Sequence, residues 1–131
     1  MSMKLAAPTP KPCVFLGSSK KDLMGLPDEV RQEMGYALHE AQCGEEPLDA
    51  KALKGFGGRS ILEIVKDHDS DTFRAVYTVR FEQALYVLHV FQKKSKKGIA
   101  TPKHEIDLIK QRLRDAEEHY RLNFNEGGRK P

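Results

Sequence analysis

Tryptophan is absent from this 131-residue chain, and cysteine occurs only twice, at Cys13 and Cys43. Two distant thiols, with neither Cys-x-x-Cys nor histidine-linked spacing, argue against a thiolate metal site or a redox pair. They read as buried free cysteines. Long hydrophobic runs are missing as well: no window approaches the roughly 18–20 apolar residues that span a bilayer. Met1 to Pro12 lacks the apolar segment of a secretion signal, so a cytoplasmic protein without a membrane role is expected. The histidines at 39, 68, 89, 104 and 119 show neither a His-Glu-x-x-His pattern nor a clustered-carboxylate pattern. Metal catalysis is therefore not expected. The glycine spacing of nucleotide-binding loops is missing too, so no small-molecule cofactor is expected.

What is present is charge, unevenly placed. The net charge is only +3, yet residues 1–92 carry 11 Lys/Arg against 13 Asp/Glu, whereas residues 93–131 carry 11 against 6. The basic character starts where the most apolar stretch, Ala84 to Gln92, runs into Lys93, Lys94, Lys96 and Lys97. Core packing does not call for a dense cationic loop at a strand exit, whereas a phosphate backbone or an acidic partner does.

Hydrophobic spacing organises the rest. Residues 1–12, with three prolines, read as a disordered arm, and 125–131 as a flexible tail. One domain is expected over 13–124. Cys13 to Leu16 reads as a first strand, and Ser18 or Ser19 caps a short helical turn through Met24. Pro27-Asp28-Glu29 starts a helix whose apolar face is Val30, Met34, Leu38 and Ala41, ending at Gly44. A long connection, 45–58, is anchored by Leu48, Leu53 and Phe56. Three strands follow, 60–66, 72–80 and 84–92, with links short enough to force antiparallel pairing. Alternation puts Arg74, Val76, Thr78 and Arg80 on one face of the middle strand and Phe73, Ala75, Tyr77 and Val79 on the other. The last strand is apolar on both faces and should be covered on both. A final helix from Pro102 carries the seam Ile106, Ile109, Leu113, Ala116 and Tyr120. The fold class expected is α+β: an N-terminal helical hairpin and a C-terminal helix packed on a small antiparallel sheet.

Several of these segments together resemble the phage-derived killer-protein family, a HigB-like branch of the RelE/ParE superfamily of type II toxins. They are Leu53-Lys54-Gly55, Phe73-Arg74-Ala75-Val76-Tyr77, Leu88 to Lys97 followed by Thr101-Pro102, and Glu105-Ile106 with Lys110 and Leu113. The resemblance covers roughly residues 13–120 in element order, and its specific part is the Phe91-to-Pro102 segment. It implies a toxin acting as a ribosome-dependent mRNA endoribonuclease. It also implies a cognate antitoxin, often a helix-turn-helix protein, and ribosome and mRNA as further partners. Relatives that poison DNA gyrase, or a catalytically inactive module that binds RNA or protein, are the alternatives.

Metal-free RNA cleavage uses the ribose 2′-OH as nucleophile, with cations to offset charge on the phosphate and an acid–base pair for the protons. By the resemblance, Arg74, Lys93 and Lys94 offset charge, and His89 or Lys66 serves as acid or base. Lys96, Lys97, Lys54 and Arg59 hold RNA backbone. Each also has a plainer reading: Arg74 as a rim arginine paired with an acid of the 67–71 link, His89 as a satisfied core histidine, and the lysines as a solvated loop. The strand 60–66 departs from its relatives in carrying Glu63 in place of lysines, and no tyrosine follows the lysine run. The general base is left without an assignment.

Overall fold

The elements follow in the order β1 (Cys13–Phe15), α1 (Ser19–Met24), α2 (Asp28–Gln42), β2 (Ala50–Ala52), β3 (Ile61–His68), β4 (Asp71–Thr78), β5 (Leu85–Lys93) and α3 (Lys103–Phe124). The computed structural model describes residues 9–58, 60–93 and 101–124. Most of the expected arm, the tail 125–131, and Arg59, Lys94, Lys96 and Lys97 lie outside the described residues.

The five strands make one sheet, ordered β1-β5-β4-β3-β2. From β2 to β5 neighbours are antiparallel, as the short links require. β1 instead runs parallel to β5, pairing Cys13 with Leu85 and Phe15 with Val87, so the sheet is mixed rather than antiparallel throughout. A parallel pair needs a long crossover, and everything from α1 to β4 supplies it. β2 is the element that hydrophobic spacing does not reveal, because three residues cannot show a period. Leu48, expected to anchor that connection, is fully exposed, while Leu53 is buried and Phe56 partly so. The two cysteines are free but only half-buried.

At the β3–β4 hairpin, Asp69 and Ser70 adopt φ of 51° and 72°. Positive φ at both central residues is the two-residue turn whose twist matches the flanking strands. The strands consequently run on to His68 and back from Asp71, beyond the ends that composition suggests.

Alternation along the strands gives the sheet two apolar faces. Leu62, Ile64, Phe73, Ala75, Tyr77, Leu85 and Val87 pack beneath α1 and α2, meeting Val30, Met34, Leu38 and Ala41. Ile61, Val76, Tyr86 and Leu88 face α3, meeting Ile109 and Ala116, with Ile106, Leu113 and Tyr120 at the margin. Burying side chains of this size contributes roughly 1.5–3 kcal/mol each, which is how the apolar residues of the two faces hold three layers together. The β4–β5 register breaks between Val76 and Tyr77: Val76 sits opposite His89 and Tyr77 opposite Val87. Leu88 is thereby bulged, and Leu88 and His89, neighbours in sequence, both serve the α3 face. A bulge re-aims the residues that follow it, here Phe91 and Lys93.

Candidate functional site

The face of the sheet that carries α3 also carries a row of charged side chains. Residues paired directly across antiparallel strands share a face. Lys51 on β2 pairs with Glu63 on β3, Arg74 on β4 with Phe91 on β5, and Thr72 on β4 with Lys93 on β5. Glu63 and Arg74 lie diagonally between these pairs, and Arg74 Nη1 donates to Glu63 Oε1 at 2.8 Å. Both are buried, at 8% and 4% exposure for Arg74 and Glu63, so neither charge stands without the other. Among the described residues nothing accepts a hydrogen bond from the buried Arg74 Nε.

Lys93 completes the row and is itself buried. Burial is the main cause holding its ammonium below the usual lysine range. The positive charge of Arg74 adds to this, Glu63 opposes it, and Lys51 adds a little more. Three cations and one carboxylate therefore act on one another across four strands. Such a cluster, carrying a net +2, is suited to a phosphate: it supplies a fixed guanidinium and a lysine whose proton is easier to give up than in water.

His89 lies on the same face but is occupied. Its Nε2 is 2.6 Å from Glu105 Oε1, and Arg112 Nη1 is 3.4 Å from its Nδ1. The ring stacks on Phe91 at 4.5 Å with an interplanar angle of 18°. Burial lowers the His89 pKa and outweighs Glu105, which pulls the other way. The hydrogen-bond network assigns the neutral tautomer that donates from Nε2 to Glu105 and accepts at Nδ1 from Arg112. Arg112 also donates to the Leu88 carbonyl at 3.0 Å, so His89 ties α3 to the bulged strand.

The other candidates are not brought to this row. Lys66 pairs across β3 and β4 with Phe73, which places it on the α2 face. There it bonds Asp49 and lies 3.9 Å from Glu33. Lys54 is exposed in the turn that follows β2. Arg74 does not pair with the Asp67–Asp71 link either; Asp67 accepts from Thr72 instead. The acid that matters is Glu63, and its signal was available: a carboxylate in the apolar run Ile61 to Val65 cannot be buried without a cationic partner. Among the described residues no three His, Cys, Asp or Glu side chains gather so as to hold a metal ion. Nor is any described helix long and apolar enough to cross a membrane.

Residues 21–114 match the family model described as phage-derived protein Gp49-like (DUF891). The chain belongs to the Gp49-like family. The matched span runs from α1 to the middle of α3 and contains every charged residue of the row. No curated protein matches this Gp49-like chain. Among solved structures it is similar to a chain of the toxin–antitoxin complex RelBE2 from Mycobacterium tuberculosis, at 16% identity and a TM-score of 0.47. That match covers 66% of this chain and 95% of the other.

Proposed function

We propose that this Gp49-like protein is the toxin of a type II toxin–antitoxin pair and cleaves mRNA on the ribosome without a metal ion. The observation that carries the reading is the row Glu63, Arg74 and Lys93 on one sheet face. In the reaction, the ribose 2′-oxygen attacks the adjacent phosphorus and the bond from phosphorus to the 5′-oxygen breaks. The products are a 2′,3′-cyclic phosphate and a free 5′-hydroxyl. Glu63, held at one oxygen by Arg74, takes the 2′-proton. Arg74 stabilises the added negative charge on the phosphate, and Lys93 returns a proton to the departing 5′-oxygen. His89 is a positioning residue in this scheme, because its two nitrogens already serve Glu105 and Arg112. Lys94, Lys96 and Lys97, which follow Lys93 in sequence, bind RNA backbone, a contact blind to base identity. The partner protein is a cognate antitoxin, and the place of action is the cytoplasm, on translating ribosomes.

The test adds purified protein to translating ribosomes programmed with a defined mRNA and maps new 5′-hydroxyl ends. Cuts within translated codons are expected, with Arg74→Lys slower by roughly 10²-fold. Intact mRNA together with a DNA-damage response on expression would replace this reading with that of a gyrase poison. In that case the Glu63–Arg74 pair is purely structural.

A further inference from the structure

On the other side of the sheet, α2 and the loop leading into β2 enclose a groove of about 400 Å³. Tyr36 and Leu48 line it, 66% and 101% exposed. Glu33, Glu40 and Asp49 line it with them. Among the described lining residues Lys66 is the single cation, bonded to Asp49 and 3.9 Å from Glu33. Three carboxylates against one ammonium leave the lining at −2.

A lone exposed leucine is ordinary on a protein surface, and so are solvated carboxylates. Two large exposed apolar side chains along one groove, with a lining of net negative charge, have the makings of a docking site: apolar contact area beside a charged border. The sign selects the occupant. A polyanion is repelled here, whereas a cationic segment gains from Glu40 and from the carboxylate charge that Lys66 leaves unbalanced. We propose that this groove receives a short segment of a partner protein in which an aliphatic or aromatic side chain is flanked by lysine or arginine. The apolar side chain sits between Tyr36 and Leu48, and the flanking cations meet Glu33, Glu40 and Asp49. The groove lies on the α2 face, so its occupation leaves the row of Glu63, Arg74 and Lys93 uncovered.

Selection of short displayed peptides on the full-length protein, followed by titration of the enriched peptide, tests this. Enriched sequences are expected to place Lys or Arg beside Leu, Ile, Phe or Tyr. Their Kd should weaken by roughly tenfold or more when Tyr36→Ser and Leu48→Ser are combined. It should weaken again in Glu40→Gln, and at high salt. Both apolar positions are exposed, so the double variant keeps the fold, which its unfolding transition verifies. Acidic enriched peptides, or a Kd indifferent to all three substitutions, would overturn the proposal. So would a wild-type dimer in sedimentation that the double variant dissociates, since the occupant would then be a second copy of this chain.

Discussion

The Arg74–Glu63 pair decides how its own mutants are to be read. Arg74→Ala leaves Glu63 buried and unpaired, and breaking a buried pair on one side costs about 3–5 kcal/mol. Urea unfolding should show that loss, so a silent Arg74→Ala variant says little about chemistry. The informative variant replaces both partners: Arg74→Met with Glu63→Leu should keep stability within about 1–2 kcal/mol of wild type, or raise it, while abolishing cleavage. Retained cleavage in that variant removes both residues from the reaction. His89 gives a second residue-scale prediction. Its folded-state pKa lies below the ordinary 6.5, so the unfolded chain binds the extra proton first as the pH drops. The stabilising contribution of neutral His89 is therefore complete above about pH 6.5 and lost progressively below it. Protonation at Nδ1 removes the acceptor that Arg112 uses, while Nε2–H goes on donating to Glu105. Unfolding free energies from pH 7.5 to 5 should fall for wild type and fall less steeply for His89→Gln.

At the level of elements, backbone in the left-handed region matters most at two corners. The β3–β4 turn does so with Asp69 and Ser70, residues with a Cβ. Asp69→Asn with Ser70→Gly removes that strain at one position and should raise stability by roughly 0.5–1 kcal/mol, read as a shift in denaturation midpoint. Gly17, after β1, has φ +55°, and a Cβ there would come within 2.6 Å of Arg112 Nη2. Gly17→Ala should therefore destabilise by about 1–2 kcal/mol through backbone strain alone. Displacing Arg112 would also uncouple α3 from the Leu88 carbonyl. These corners also show what the amino-acid order reveals. The apolar seams of α2 and α3 and the two faces of β4 are legible, because periods of 3.6 and 2 mark them over many residues. β2, the parallel placement of β1 and the bulge at Leu88 are not legible, since each depends on contacts between distant segments. The same divide holds for the site. Arg74 and Lys93 stand out as cations in or beside apolar strands. By contrast, Lys66 and Arg74 look alike along the chain and are separated only by the parity that puts them on opposite faces.

Taken whole, the molecule is polarised. Carboxylates Glu33, Glu40 and Asp49 gather on the α2 side, while Lys51, Arg74 and Lys93 occupy the α3 side. In sequence, Lys93 is followed by Lys94, Lys96 and Lys97. An opposed distribution of this kind steers an RNA to one side and keeps it from the other. Affinity for a single-stranded RNA should fall linearly with log salt, and replacing Lys93 and Lys94 with glutamine should shallow that slope by roughly 1. An unchanged slope would make both lysines bystanders to binding.

The parallel strand at the sheet's edge also governs when the protein can exist. Leu16 N and Ser19 Oγ both bond the carbonyl of Val87, and Leu85 N bonds Pro12, so the beginning of the chain is locked by one of its last strands. A nascent polypeptide cannot close this clasp until β5 has left the exit tunnel, and contacts so distant in sequence form slowly. Until then neither the edge strand nor Lys93 is in place. A translation product that stops before β5 therefore has neither the clasp nor a complete cationic row.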